Sequence, residues 1–263
     1  MIFKMEKRNI LLVGEACIIV TRYIKGFDEF STCSYAEDHQ YLSKALSSAG
    51  FTVKHLPSHK VPEEFPMSLD ELNKYSAVIL SDIGASSIYI HPDTWIKAKK
   101  MPNRLELIRK YVEQGGGIVM VGGYMSFQGV EGKARYSGTP IEQALPVNIL
   151  PTDDRIEMPE GINPVVCKPN HPIVQGLPKE WPILLGYNKL KAKKESETIA
   201  LVGYDPLLII GEYKEGRSLA FASDCAPHWA PPEFLEWEYY DVLWGRALGW
   251  VTRLSEDDWP KGN

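Results

Sequence analysis

The sequence predicts an α/β protein with a mostly parallel sheet and extra antiparallel strands in its C-terminal half. Short runs rich in Val, Ile and Leu alternate with segments of helical periodicity, which is typical of a parallel sheet with helices on both faces. A chain of 263 residues that is 44% hydrophobic and 24% charged can bury a substantial core. We therefore expect one domain over residues 1–254 and a loose tail over 255–263.

The first half contains four buried strands and two crossover helices. Continuous aliphatic or β-branched runs predict the strands at 10–14, 51–55, 77–81 and 117–121. Apolar residues at helical spacing predict helices near 35–49, ending at Gly50, and near 103–113, ending before Gly115.

After residue 145 the pattern changes to short strands. Prolines and turn residues break the segment 146–178, and the segment 197–224 resembles strands joined by tight turns. A hairpin turn is expected at 214–216. The last helix is predicted from apolar residues at helical spacing, namely Tyr240, Leu243, Trp244, Ala247, Leu248 and Val251.

Charge and composition exclude several classes of partner. The formal net charge of −5 disfavours nucleic acid, because phosphate binding needs clustered Lys and Arg. The amino terminus lacks the pattern of a signal peptide, and no apolar run approaches the ~20 residues of a membrane helix. The four cysteines are dispersed without metal-type spacing. We expect a cytoplasmic protein with reduced thiols, no membrane partner, no metal and no cofactor.

The segment GGGIVMVGGYMSFQG at 115–129 has the frame of a nucleophile elbow. A strand that leaves through a cramped turn needs small residues such as Gly123, which allow backbone N–H groups to face an anionic intermediate. The apex is Tyr124 rather than Cys or Ser. A phenol with a pKa of ~10 is a poor acyl nucleophile at neutral pH.

Polar residues follow several strands at the edge where ligands of open α/β sheets bind. They are Glu15, Asp82, Tyr124 and Asp224. Glu15 opens a long irregular stretch, 16–35, with the length of a binding loop, and its carboxylate could accept loop amides or contact a ligand. Asp82 could orient a ligand hydroxyl or satisfy the donors of the following turn.

Two further segments carry candidate ligand-binding residues. In DCAPHW, Cys225 and His228 could form a thiolate–imidazole pair, or they could be a buried thiol and a histidine bound to backbone, and Trp229 follows directly. In GKARYSGTP, Arg135 could close over a carboxylate, a phosphate or hydroxyls, or it could face solvent.

Together these motifs resemble the class I glutamine amidotransferase-like superfamily, and more narrowly a bacterial family of glutamine amidotransferase-like domains. The resemblance extends to about residue 253 and is carried by GEACIIVTRYIKGFDEF, LSDIGASS, GGYMSFQG, GKARYSGTPIE, LPVNILPTDDR and SDCAPHW. It implies a flavodoxin-like three-layer α/β/α sandwich, similar in fold to the trehalose-utilisation-type proteins.

In active members of that superfamily, an elbow Cys attacks the glutamine carboxamide and a later His relays protons. The resemblance places the Cys position on Tyr124, the elbow's later small residue on Ser126 and the His on His228. The His-Pro-Glu pattern is missing, since Trp229 and Ala230 follow His228. The resemblance therefore implies an amidotransferase-like protein without glutaminase activity.

Three functional hypotheses follow. The first is a protein that binds a small polar ligand over Tyr124, Glu15, Asp224 and His228. The second is a hydrolase or other enzyme that acts on a sugar-like or acyl substrate, with Glu15 or His228 as general base and Tyr124 as acid or oxyanion donor.

The third hypothesis is a non-catalytic interaction protein that forms homo-oligomers. Its surface would be the aromatic residues Trp229, Phe234 and Trp237.

Overall fold

A computed structural model describes residues 8–261, and its elements alternate as an α/β chain should. The strands are β1 (Asn9–Gly14), β2 (Ala16–Lys25), β3 (Asp28–Glu37), β4 (Thr52–Leu56), β5 (Ala77–Ser81), β6 (Gly117–Val121), β7 (Val147–Ile149), β8 (Arg155–Ile162), β9 (Pro164–Val166), β10 (Leu184–Asn188), β11 (Leu190–Ala192), β12 (Glu197–Val202), β13 (Asp205–Tyr213) and β14 (Gly216–Phe221). The α-helices are α1 (Gln40–Ser48), α2 (Val61–Glu64), α3 (Leu69–Leu72), α4 (Ala85–Tyr89), α5 (Pro92–Lys97), α6 (Arg104–Glu113), α7 (Pro140–Ala144), α8 (Pro232–Leu235) and α9 (Tyr240–Val251). Two 3₁₀ turns span Val130–Gly132 and Glu256–Asp258.

The central sheet has eight strands in the order β4-β1-β5-β6-β14-β13-β12-β9. The first five pair in parallel, and the last three are added antiparallel. Helices α1 and α9 pack together on one face, while α2, α3, α4, α6 and α7 pack among themselves on the other. The predicted fold, a flavodoxin-like α/β sandwich with antiparallel strands in the C-terminal half, is confirmed.

The predicted parallel strands are found within two residues of their expected bounds. Strands β5 and β6 are buried at every position. Helices cover both of their faces, and this explains why their sequences are continuously aliphatic. The helix predicted at 103–113 is α6, and Asn103 caps its first turn through Oδ1. The predicted hairpin turn is also present, with Tyr213 opposite Gly216.

The segment 16–35 is wrongly predicted as an irregular loop. It forms most of a regular hairpin, in which β2 and β3 pair over ten residues from Ala16–Glu37 to Lys25–Asp28. We call this hairpin the arm. Nearly all its side chains are exposed, so neither a buried run nor one clear apolar face marks it as strand. Because β3 extends to Glu37, helix α1 begins at Gln40 and not near 35.

In the tail predicted to be loose, residues 255–258 and Lys261 are exposed, whereas Trp259 and Pro260 contact the domain. Trp259 is 8% exposed, and the Arg246 guanidinium donates from Nε to the Pro260 carbonyl at 2.9 Å. Residues 262–263 lie outside the described part of the chain, as do residues 1–7, on which the expected absence of a signal peptide partly rests. Among the described helices, none combines the length and apolar character needed to cross a membrane.

Candidate functional site

A cleft of about 240 Å³ lies at the carboxyl ends of the parallel strands, where the chain was expected to bind ligands. It brings together the four predicted rim residues, since Glu15 follows β1, Asp82 follows β5, Tyr124 follows β6 and Asp224 follows β14. The residues that line it are Glu15, Ala16, Cys17, Asp38, Asp82, Tyr124, Asp224, Pro227 and His228.

The backbone around this cleft is strained. Glu15, Asp82 and His228 have φ values of 46°, 44° and 147°, in a region that costs non-glycine residues about 1–3 kcal/mol each. Gly14 has φ 110°, and a Cβ there would lie 1.7 Å from the Ser81 carbonyl oxygen. This close approach lets the Glu15 amide donate to that same oxygen at 3.1 Å, which fixes Glu15 above the strand ends.

Two carboxyl groups form the floor of the cleft. Glu15 and Asp224 are 6% and 4% exposed. The Ser81 hydroxyl donates to Glu15 Oε1, and the Cys225 and Ala226 amides donate to Asp224 Oδ1 at 2.8 and 3.1 Å. Burial, followed by the neighbouring carboxylates, raises the pKa of both Glu15 and Asp224 well above their usual ranges. The floor therefore favours protonated carboxyl groups that can donate hydrogen bonds.

The imidazole of His228 stands at the wall beside this floor. Its Nδ1 lies 3.5 Å from Asp224 Oδ2, and its ring packs edge-on against Tyr124 at 4.2 Å and stacks on Trp229 at 5.2 Å. Burial lowers the pKa of His228, an effect that the Asp82 carboxylate partly opposes. The neutral ring is thus favoured near pH 7, and it can accept a proton or a hydrogen bond.

Tyr124 is held as a neutral phenol. Its hydroxyl donates to Glu157 Oε1 at 2.7 Å, while the Trp229 indole donates to Glu157 Oε2 at 3.0 Å. The Arg155 guanidinium lies over the Tyr124 ring at 4.6 Å. The hydrogen bond to Glu157 raises the pKa of Tyr124 above its ordinary value. The phenol oxygen of Tyr124 is therefore a weak nucleophile.

The turn after β6 has the glycines of an elbow, but the amides on both sides of its apex are occupied. The Met125 amide, which follows the apex and would face an oxyanion in a working elbow, donates to Asp82 Oδ1 at 2.7 Å. The Gly123 amide donates to Asn188 Oδ1 at 3.0 Å. The next α-helix along the described chain begins at Pro140, so the strand–turn–helix unit is incomplete.

Asn188 and Asp154 hold this turn from below. Asn188 Nδ2 donates to Asp154 Oδ1 at 2.8 Å, and the Gln128 and Gly129 amides donate to the Asp154 carboxylate at 2.9 Å each. The flanking residues Asp153 and Arg155 form an ion pair at 2.8 Å, whereas Asp154 is buried and organises the turn.

Cys225 lies behind the cleft floor and not in its lining. The side chain is fully buried, and its Sγ is 3.6 Å from Ser81 Oγ and 3.9 Å from Glu15 Oε1. Burial raises the pKa of this thiol well above its ordinary value. Of the two interpretations of the Cys225–His228 segment, the buried thiol describes this residue, and a reactive thiolate does not.

The remaining candidates are divided between the cleft and other places. Ser126 is buried and its Oγ accepts from the Asp82 amide at 3.1 Å, so it supports the rim. Arg135 is exposed and lines a separate cavity of about 430 Å³ with Ser86, Asn103 and Thr139. Asp38 and Glu157, which the sequence did not single out, contribute to the cleft or its wall, and nothing in their local sequence distinguishes them from ordinary surface acids.

The sandwich and the polar cleft beyond its strand ends are those expected of a class I glutamine amidotransferase-like protein, and the family match assigns the chain to that class. The chain belongs to the family described as "Putative glutamine amidotransferase", whose model matches residues 9–253. Comparison with curated proteins gives no match.

Solved structures agree with this membership. Cytoplasmic protein STM3548 from Salmonella typhimurium is 40% identical, with a TM-score of 0.89 over 92% of this chain and 98% of that one. Cytoplasmic protein STM1381 from Salmonella typhimurium LT2 is 42% identical, with the same TM-score over 92% and 99%. A "Putative thua-like protein" from Parabacteroides merdae, at 13% identity, has a TM-score of 0.59 over 94% and 90%, which shows a shared fold alone.

Proposed function

We propose that this protein binds a small polar ligand in the cleft and has no glutaminase activity. The observation that carries the proposal is the hydrogen bond from the Met125 amide to Asp82. It places a carboxylate where an amidotransferase needs an open donor for its oxyanion, and loss of one such donor typically costs about 10²–10³ in rate. Tyr124, at the nucleophile position, is meanwhile engaged with Glu157.

The charge of the cleft restricts the ligand class. Four acidic residues, Glu15, Asp38, Asp82 and Asp224, line it, and His228 is the basic residue among them. Any of these carboxyl groups that ionises would repel an anionic ligand in this partly desolvated space. We therefore favour a neutral, hydroxyl-rich molecule, bound by the protonated carboxyl groups below and the rings of Tyr124 and His228 at the side, or an amine, whose cationic form would favour ionised carboxylates.

Thermal shifts of the wild type, Tyr124→Phe and His228→Ala test this proposal with glutamine, neutral sugars, sugar acids, nucleotides and amines. Tyr204→Phe is a matched control, because Tyr204 is fully exposed. A ligand at 100 times its Kd adds about 2.7 kcal/mol, or several degrees. We expect a shift with a neutral or cationic compound that is reduced in both cleft variants and retained in Tyr204→Phe. Equal shifts in all four proteins would contradict the proposal, as would a measurable glutaminase rate.

A second candidate is acid–base catalysis on a sugar-like or acyl substrate. It is favoured by the position of His228, whose Nδ1 lies 3.5 Å from Asp224 Oδ2, beside the protonated Glu15. His228 would be the base and Glu15 the acid in one cleft. An active substrate should give a pH–rate profile with an ascending limb that disappears in His228→Ala. A flat profile, or no turnover across the same panel, argues against this candidate.

The third candidate is self-association, through a surface other than the predicted one. Trp229 and Phe234 are buried and Trp237 is half-buried, so they offer no open aromatic surface. The arm exposes large apolar side chains instead: Ile18, Ile19, Val20, Tyr23, Ile24, Phe27, Phe30 and Tyr35. An isolated two-stranded hairpin is marginally stable in water, and exposed apolar patches mark interaction surfaces.

A second copy of this chain is the partner we propose for the arm. Residues 16–37 carry two basic and three acidic side chains, so two arms can approach without strong repulsion. Light scattering should show a dimer or larger assembly for the wild type and for Tyr204→Ser, and a shift toward monomer for Ile24→Ser/Phe27→Ser. A monomer at all concentrations would exclude this role. We also propose the cytoplasm as its location, by analogy with the two Salmonella proteins.

A further inference from the structure

Three metal-ligating side chains meet at the base of the arm, outside the cleft. They are Glu37 at the end of β3, His39 at the N-cap of α1 and His55 in β4. One ligand atom from each lies within 4.8 Å of the others. We propose that these residues form a binding site for a divalent transition metal ion, with Zn²⁺ as the ion to test first.

The orientation of His55 suits a metal ligand. Its Nε2 lies 2.8 Å from the Gly14 carbonyl oxygen, and a carbonyl only accepts, so Nε2 carries the proton and Nδ1 presents its lone pair. That Nδ1 lies 3.8 Å from Glu37 Oε1. Histidine ligands generally donate their second ring N–H to a carbonyl or carboxylate in this way, which fixes the ring.

The other two side chains are also held in place. The Tyr35 hydroxyl donates to Glu37 Oε1 at 2.6 Å, and His39 Nδ1 shares a hydrogen bond with Ser43 Oγ at 2.9 Å. The His39 and His55 rings stack at 3.8 Å. Ligands about 2.0–2.1 Å from a tetrahedral Zn²⁺ are ~3.4 Å apart. To bind one ion, the ligand atoms, which lie within 4.8 Å of one another, must approach, and the stacked rings must turn until both lone pairs face the ion.

The site lies next to the cleft. Gly14, which holds His55, precedes Glu15, and Asp38, which lines the cleft, follows Glu37. Two histidines and a carboxylate leave a fourth position of a tetrahedral ion open to water or another ligand. Ion binding here needs no ligand in the cleft and is therefore independent of the proposed function.

Equilibrium dialysis of the chelator-treated full chain with Zn²⁺ alone, read by elemental analysis and calorimetry, tests the site. The variants are Glu37→Gln, His39→Gln and His55→Gln, and the matched control is His91→Asn, which removes a histidine elsewhere while an Asn can still cap α5. Supporting residues typically contribute about 10–100-fold to metal affinity, so loss of a ligand should weaken binding by more than about 100-fold. Tyr35→Phe should weaken it by about 10-fold.

We expect one Zn²⁺ per chain in the wild type and in His91→Asn, and loss of that ion in the three ligand variants. Circular dichroism without metal checks that each variant is folded. Co²⁺ distinguishes this site from the cysteines, since binding through nitrogen and oxygen produces no thiolate charge-transfer band. Absence of binding in the wild type, unchanged affinity in Glu37→Gln, or a thiolate band in the Co²⁺ spectrum would each overturn the proposal.

Discussion

Replacing Asn188 should destabilise the protein strongly, because this side chain joins Gly123, in the turn after β6, to Asp154. It is fully buried. Its Oδ1 accepts from the Gly123 amide at 3.0 Å, and its Nδ2 donates to the Gly123 carbonyl at 3.3 Å and to Asp154 Oδ1 at 2.8 Å. Asn188→Ala removes all three hydrogen bonds at once.

The magnitude follows from the partners left behind. A buried polar group without a partner costs about 1–3 kcal/mol. The substitution removes one hydrogen bond from each of three groups, namely the Gly123 amide, the Gly123 carbonyl and the Asp154 carboxylate. Asp154 keeps its two amide donors, so its share lies at the low end. We expect a loss of about 3–5 kcal/mol in the free energy of unfolding, a large fraction of a typical domain's stability.

Urea unfolding, followed by fluorescence and circular dichroism, measures this loss. Asn148→Ala is the matched control, since Asn148 is exposed on β7 and should change stability by less than about 0.5 kcal/mol. The midpoint should fall in Asn188→Ala with an unchanged slope. A loss below about 1 kcal/mol would refute the reasoning that Asn188 holds the turn.

Three further predictions follow from the cleft. Burial raises the pKa of Glu15, so the folded state binds more protons than the unfolded state above the ordinary Glu pKa of about 4.3, and wild-type stability falls as pH rises from there through the folded-state pKa. Glu15→Gln should therefore gain in free energy of unfolding relative to the wild type as pH rises above about 4.3, and a gain independent of pH would contradict the assigned protonation. Tyr124→Cys should not produce glutaminase activity in an ammonia-release assay, because Asp82 still occupies the turn's amide; activity in that single variant would show that the amide is available. Gly14→Ala should lower the free energy of unfolding, measured in urea, by more than about 3 kcal/mol. Residue 14 has φ 110°, and the added Cβ would clash with the Ser81 carbonyl oxygen. A near-neutral effect would mean that this backbone relaxes easily.

The buried parallel strands could be predicted from the sequence because their signal is local. Strands covered on both faces need uninterrupted aliphatic residues, as in GIVMV at 117–121, and strand ends in such sheets converge on one edge. The same reasoning placed Glu15, Asp82, Tyr124 and Asp224 at one rim. The arm was missed because its exposed strands carry neither a buried run nor a single apolar face.

The sequence by itself determined the α/β class, the parallel strands and the rim position of the polar residues, since each depends on neighbours within a few positions. Only the tertiary structure decided what those residues contact. The partners of Gly123 and Tyr124 lie 65 and 33 residues away along the chain, and those of Cys225 lie 144 and 210 residues away. Hydrogen bonds and desolvation act through space, so they depend on the order of the strands in the sheet, which no local pattern encodes.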